Sequence, residues 1–257
     1  MSQVCLVIGG TGGLGGACAK DLAKDHRIII AGRNRQKGEA VVQQVKSAGG
    51  EATFLHFDIT DLARMQDFHN DAVKIYGRLD VAINGAGVTG TFQTLKDFST
   101  EEITTIINTN LTGVILCMQS QITLMQNNPG GSGGRIVNFS SIYGLHGTQY
   151  GSIYSATKHA LVGLTRSAAL EYSGPENNIL INSINPGVIS MEMTALLDDP
   201  RPLPEGEMKG FIKRAKTMYA QKRFGKLEDV TRGARYLIES PWVTGTTLEV
   251  DGGFGAK

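Results

Sequence analysis

The sequence predicts an α/β fold: a doubly wound parallel sheet of about seven strands with helices on both faces. Three observations carry this. Short apolar, β-branched runs alternate with segments of helical period, each unit taking roughly 30 residues. The runs are apolar at consecutive positions, as strands covered on both faces are. A glycine-rich stretch, Gly9 to Gly16, joins the first run to the first helical segment.

The elements follow in order. Gln3 to Ile8 reads as a buried strand and Leu14 to Lys24 as a helix. Arg27 to Ala31 is β-branched, Arg35 to Ala48 is helical, and Glu51 to Phe57 is a strand. Asp61 to Tyr76 reads as a helix with Asp61 or Thr60 as its cap, followed by a strand over Leu79 to Ile83. Thr100 to Gln126 is a long helical segment behind a Ser99 cap signal, and Asn127 to Gly134 is a turn-rich loop. Arg135 to Phe139 is a strand, Ser152 to Tyr172 a helix and Ile179 to Ile184 a strand. Val188 to Met218 is irregular and proline-rich. Leu227 to Glu239 is helical, and Thr246 to Val250 is the last strand. No composition shift marks a second domain, so one domain is expected over 1–257.

Composition narrows the partners. Lys and Arg total 25 against 24 Asp and Glu, a net charge of +1, which gives no footprint for nucleic acid or an anionic membrane. No apolar run approaches the ~18 residues a membrane span needs, and the N-terminus lacks a signal-peptide pattern. Cys5, Cys18 and Cys117 form no metal or redox spacing, nor do His26, His56, His69, His146 and His159. A soluble cytoplasmic protein with reduced core thiols and no metal is expected.

Ligands of such sheets bind beyond the carboxyl ends of the strands. The stretch after strand one reads Gly9-Gly10-Thr11-Gly12-Gly13-Leu14-Gly15-Gly16. Glycine lets the backbone turn sharply and lets a pyrophosphate approach the N–H groups that open the helix. A flexible strand–helix turn is the plainer alternative. After strand two, Gly32 stands where an acid for NAD ribose hydroxyls would be expected, and Arg33-Asn34 follows. A guanidinium there suits the 2′-phosphate of NADP, so NADP(H) is expected over NAD(H). Thr11 could add a hydroxyl. Asp58-Ile59 follows strand three, where Asp58 either meets adenine or caps a helix. Asn84-Gly85-Ala86-Gly87 follows strand four, with small residues that let a ring or ribose lie close.

The chemistry centres on Tyr154-Ser155-Ala156-Thr157-Lys158. On a helix, positions four apart share a face. A free phenol has a pKa near ~10, and a neighbouring ammonium favours the phenolate. Such a pair can give a proton to a ketone oxygen as hydride reaches its carbon. Ser141, just past the Ile136–Phe139 strand, could hold the substrate oxygen, with Ser140 as its competitor. Tyr143 and His146 lie between Ser141 and Tyr154, each either a pocket residue or a packing residue.

Together these motifs resemble the short-chain dehydrogenase/reductase family over nearly the whole chain. The glycine loop, Asn84-Gly85-Ala86-Gly87, Asn110, Ser141, Tyr154-x3-Lys158 and Asn185-Pro186-Gly187 occur in the family's order. Ser141 precedes Tyr154 by the family's usual 13 residues, which favours it over Ser140. The resemblance implies a Rossmann-like fold and an NADP(H)-dependent enzyme that interconverts a ketone or aldehyde and an alcohol, with a 3-oxoacyl thioester, a steroid, a sugar and a small ketone all open as its small-molecule substrate. It implies that Tyr154 is the acid/base and that Lys158 lowers its pKa and binds the nicotinamide ribose. Ser141 would polarise the carbonyl, and the Asn110 backbone carbonyl, in a kinked helix, would hold a water. Pro186, Gly187 and Ile189 would line the nicotinamide, and Gly9, Thr11, Gly12, Gly13, Leu14, Arg33, Asn34, Asp58, Ile59, Asn84 and Ala86 would contact the rest. A homodimer or homotetramer is implied.

The chain departs from the family pattern at Ile8, Gly85 and Met191, which touches cofactor contacts and leaves the tetrad whole. The segment 188–218 is expected to act as a substrate lid. A dinucleotide-binding regulator, and a C=N-reducing or cyclising enzyme, stay open as alternatives.

Overall fold

The computed structural model describes residues 2–190 and 215–256. Within them lies one seven-stranded sheet in the order β3-β2-β1-β4-β5-β6-β7. The strands are β1 (Gln3–Ile8), β2 (His26–Gly32), β3 (Ala52–His56), β4 (Val81–Asn84), β5 (Gly134–Phe139), β6 (Ile179–Pro186) and β7 (Thr247–Val250). Every neighbouring pair is parallel. The helices are α1 (Gly13–Leu22), α2 (Arg35–Ser47), α3 (Met65–Tyr76), α4 (Thr100–Ile107), α5 (Gly113–Gln126), α6 (Ser152–Tyr172) and α7 (Leu227–Glu239).

The alternation of side chains along each strand builds two cores. In β1, Val4, Leu6 and Ile8 join one cluster, while Cys5 and Val7 join the other. Met65 and Phe68 of α3, Val114 and Met118 of α5, and Leu161 of α6 cover the first face. Leu22 of α1, Val41 and Val45 of α2, and Val230 and Leu237 of α7 cover the second. A side chain such as Leu6, with no exposed surface, contributes ~1.5–3 kcal/mol through burial. This two-sided cover explains why the central strands carry consecutive apolar residues, as in Val4 to Ile8 and Ile28 to Ala31.

Two expectations need correction. Neither Asp61 nor Thr60 caps α3 through its side chain; a 3-10 turn over Leu62–Arg64 precedes the helix. Asp58 instead accepts from Thr60 N at 2.9 Å and Thr60 Oγ1 at 2.7 Å, closing the turn after β3. The segment 100–126 is not one α-helix, because a π turn over Asn108–Thr112 separates α4 from α5. The Ser99 cap is present, its hydroxyl accepting from Glu102 N at 3.1 Å. Most of the expected lid, 188–218, lies outside the described residues, as does Met191.

The sheet order reverses between β1 and β4. Their carboxyl ends diverge there and leave room for a ligand.

Candidate active site

A cleft of about 440 Å³ opens at this reversal. Its floor is the glycine loop. Gly9 has φ 79°, and its N–H and that of Gly10 both donate to the Ala31 carbonyl, at 2.9 and 3.0 Å. A Cβ on Gly9 would sit 2.6 Å from the Ala86 nitrogen, and one on Gly15 would strike the Gly9 carbonyl. Three backbone segments therefore meet with no space for side chains. Gly12 precedes α1 without a side-chain cap, and the first turn carries no acid. The N–H groups opening α1 thus face the cleft unclaimed by side chains, with the positive end of the helix dipole behind them.

Ten of the expected cofactor residues line this cleft: Gly9, Thr11, Gly12, Gly13, Leu14, Arg33, Asp58, Ile59, Ala86 and Ile189. A Cβ at Gly32 would lie 2.5 Å from Thr11 Cγ2, so the threonine fills the place an acidic side chain would need. Arg33 is joined by Lys37, one helical turn later. Partial burial opposes charge on Asp58. The two Thr60 bonds, with Arg33 and His56 nearby, still hold its carboxyl below the ordinary range.

The other expected contacts sit elsewhere. Asn34 caps α2, its side chain accepting from Lys37 N at 2.9 Å. Asn84 is buried and its amide exchanges bonds with Gln121 at 3.1 and 2.8 Å and reaches Asn138 at 2.9 Å. Pro186 ends β6, and Gly187 lines a neighbouring cavity with Val188 and Tyr219. Gly87 of the small-residue turn after β4 also lines the cleft, whereas Lys37 and Thr109 were missed. Lys37 had a signal, a further cation after Arg33 and Arg35; Thr109 had none, because the π turn that presents it leaves no mark in the pattern.

The reactive residues gather where α6, the π turn and the β5–α6 turn meet. Lys158 is 4% exposed, and its ammonium donates to the Phe139 carbonyl at 2.7 Å. The same ammonium lies 5.6 Å from the centroid of the half-buried Tyr154 ring. A Cβ at Gly87 would be 3.4 Å from both Lys158 Nζ and Asn110 Oδ1, so both groups pack against the turn after β4. Asn110 Nδ2 also donates to Thr157 Oγ1 at 3.3 Å, tying the π turn to α6. Ser140 Oγ donates to the Lys158 carbonyl at 2.9 Å, so that hydroxyl is spent on α6. Ser141 Oγ accepts from Tyr143 N at 3.1 Å, and Asn185 Nδ2 holds the Ser141 carbonyl at 2.9 Å.

The family model described as short chain dehydrogenase matches residues 3–201. The chain belongs to the short-chain dehydrogenase/reductase family. It is 31% identical over 266 residues to a 3beta-hydroxysteroid dehydrogenase of Mediterraneibacter gnavus, covering 98% of this chain and 94% of that one. A 3-oxoacyl-[acyl-carrier-protein] reductase of Bos taurus is 33% identical over 257 residues, covering 98% of each. Among solved structures, "ElxO with NADP Bound" superposes with a TM-score of 0.88 at 31% identity, covering all of both chains. This short-chain dehydrogenase/reductase is accordingly an oxidoreductase acting on CH–OH or C=O groups. Among its described residues, no helix is long and apolar enough to cross a membrane.

Proposed function

We propose that the protein is an NADP(H)-dependent oxidoreductase that interconverts a ketone or aldehyde and its alcohol, with Tyr154 as the proton donor and acceptor. The observation that carries this is the buried Lys158 ammonium, 5.6 Å from the Tyr154 ring, beside a glycine-floored cleft.

The cleft fits a phosphorylated dinucleotide. The unclaimed N–H groups of α1 suit a pyrophosphate, and the side-chain-free contact of Gly9, Gly15 and Ala86 lets it approach. Arg33 and Lys37 suit a 2′-phosphate, and Thr11 fills the space an acid at position 32 would take. The NADP bound to the structurally similar ElxO agrees with this choice. Asn34 and Asn84 would contribute through their backbone or by shaping the turns, since their side chains are engaged. Pro186, Gly187 and Ile189 would line the nicotinamide end.

When bound, the nicotinamide supplies or accepts the hydride. The protein handles the proton. Lys158, fixed on Phe139, keeps a positive charge beside Tyr154, which stabilises a phenolate when the proton leaves Oη. Ser141 accepts from Tyr143 N, so its own O–H is left to donate to the substrate oxygen next to Tyr154. The π turn at Asn110 loosens the carbonyl ladder there, which suits a backbone oxygen that holds a relay water near Lys158.

The same reading gives one domain and a cytoplasmic protein, whose three free, buried cysteines suit a reducing compartment. It also gives a homodimer or homotetramer. Leu170 on α6 and Trp242 before β7 are 90% and 96% exposed, which suits a second copy on this edge.

The test is NADPH and NADH consumption against ketones, aldehydes and 3-oxoacyl thioesters, with Tyr154→Phe alongside. Turnover with NADPH that collapses in the variant is the expected result. Equal turnover in Tyr154→Phe would overturn the assignment.

A further inference from the structure

The segment after β7 lines a cavity next to the cleft, with Asp251, Gly252 and Gly253 beside Gly187, Val188 and Tyr219. After β7 the chain turns through Gly252 and Gly253, with φ 62° and 82°. Asp251 clamps this turn, its carboxylate accepting from Gly253 N at 2.9 Å and Gly255 N at 2.7 Å. Gln221 N holds the Gly252 carbonyl at 3.1 Å. Phe254 is thereby presented to three aromatic side chains. Tyr143 lies edge-on at 6.4 Å between centroids, His146 at 5.8 Å, and Tyr219 tilted at 5.5 Å.

These three rings belong to two different walls. Tyr143 and His146 sit on the turn between Ser141 and α6. Tyr143 N donates to Ser141 Oγ, and Ser155 Oγ donates to the carbonyls of Tyr143 at 2.8 Å and His146 at 3.3 Å. That turn therefore connects Ser141 to the residue next to Tyr154. Tyr219 belongs to the other wall. It is buried, and its hydroxyl accepts from Val188 N at 3.2 Å, beside Ile189 of the cofactor cleft. Phe254 is the ring that touches both walls.

We propose that Phe254 is a positioning residue that holds the Ser141 turn against the Tyr219–Val188 wall. The proposal rests on the roles given above to Ser141 and Tyr154. The Ser141 turn is a single 3-10 turn, Ile142–Gly144, and a short turn keeps its orientation only while its side chains are packed. Removing the ring frees Tyr143 and His146 and lets the Ser141 hydroxyl drift. A displacement of ~1 Å at a reacting group costs up to ~100-fold in rate.

The experiment compares wild type, Phe254→Ala, Phe254→Tyr and Ser141→Ala, with a ketone that the wild type reduces. Rates are measured with NADPH and with NADPH deuterated at the transferred position, per NADPH-binding site counted by fluorescence titration. Phe254→Ala is expected to lower kcat about ten-fold or more and to raise the isotope effect, because the chemical step becomes limiting. NADPH affinity should stay within about two-fold, and Phe254→Tyr should restore both rate and isotope effect. A Phe254→Ala enzyme with wild-type kcat per site, or one slowed with an unchanged isotope effect, overturns the proposal. Ser141→Ala at wild-type kcat defeats the Ser141 role and the proposal with it. A slow Ser141→Ala beside an unaffected Phe254→Ala defeats the Phe254 role alone.

Discussion

Asn110 holds Val88 as a neighbouring strand would: its Oδ1 accepts from Val88 N and its Nδ2 donates to Val88 O, both at 2.8 Å. A buried side chain in a π turn thus takes over the backbone pairing of the loop that walls the cofactor cleft. Asn110→Ala removes both bonds and should destabilise the protein by about 1–3 kcal/mol. Urea unfolding measures that loss, and the Val88 amide should exchange faster with solvent. Protection at Val88 equal to wild type would show that the loop does not depend on Asn110.

Gly9 is fixed by conformation and by space together. A left-handed φ of 79° and a Cβ 2.6 Å from the Ala86 nitrogen both exclude a side chain. Gly9→Ala should cost about 2 kcal/mol or more, through backbone strain and the forced separation of β1 from the β4 turn. Gly12 is the control, because a Cβ there meets nothing within 4 Å. Gly12→Ala should fold normally and lose NADPH affinity only. Equal melting temperatures for Gly9→Ala and wild type would contradict the close approach.

Much of this was legible in the sequence, and the limits have physical causes. Two-sided burial gives the inner strands consecutive apolar residues, so runs such as Val4 to Ile8 and Ile28 to Ala31 announce themselves. Glycines packed backbone to backbone, such as Gly9 and Gly15, cannot be replaced by a period or a propensity and so stand out as a motif. The π turn at Asn108–Thr112 was invisible to helical periodicity, because one extra residue in the ladder leaves the pattern on both sides intact. Asn84 suggested a ligand contact, yet its amide pairs with Gln121 and Asn138 in the core. A buried polar residue and a binding residue look alike until the partners are placed. The contact of Phe254 with Tyr143 joins residues more than a hundred positions apart and had no local signal.

The cofactor preference has its own test. Arg33 lines the cleft and influences Asp58 across it. On the proposed role of Arg33, Arg33→Ala would remove charge-assisted bonds to a 2′-phosphate, worth about 1.5–3 kcal/mol, so NADPH should bind about ten- to hundred-fold more weakly. NADH, which lacks that phosphate, should change by less than about two-fold. Lys37→Ala should show the same asymmetry, more weakly, since an ammonium pairs as a point charge and not as a fork. Parallel losses for NADPH and NADH in a titration would place both cations away from the phosphate.

Stability should fall on mild acidification because of His69. Its ring has no exposed surface, and Nδ1 contacts the Met65 carbonyl at 2.8 Å. Burial pushes its pKa down from 6.5 to about 4, against the opposing pull of that carbonyl. Between those values the unfolded chain binds a proton that the folded chain refuses, so unfolding becomes easier as pH drops from 6.5 toward 4. The loss reaches about 3 kcal/mol at the lower end. His26, lowered chiefly by burial, acts in the same direction. The depressed carboxyls of Asp21, Asp58 and Asp229 act in a different window, since their stabilisation is lost only as pH falls below the ordinary carboxylate range of ~3.9. Urea unfolding at stepped pH between about 7.5 and 4.5, on wild type and His69→Gln, separates these contributions. The wild type should lose stability steadily through this interval, and His69→Gln should show a shallower slope from a lower starting value. A slope unchanged by the substitution would assign the acid sensitivity to other groups.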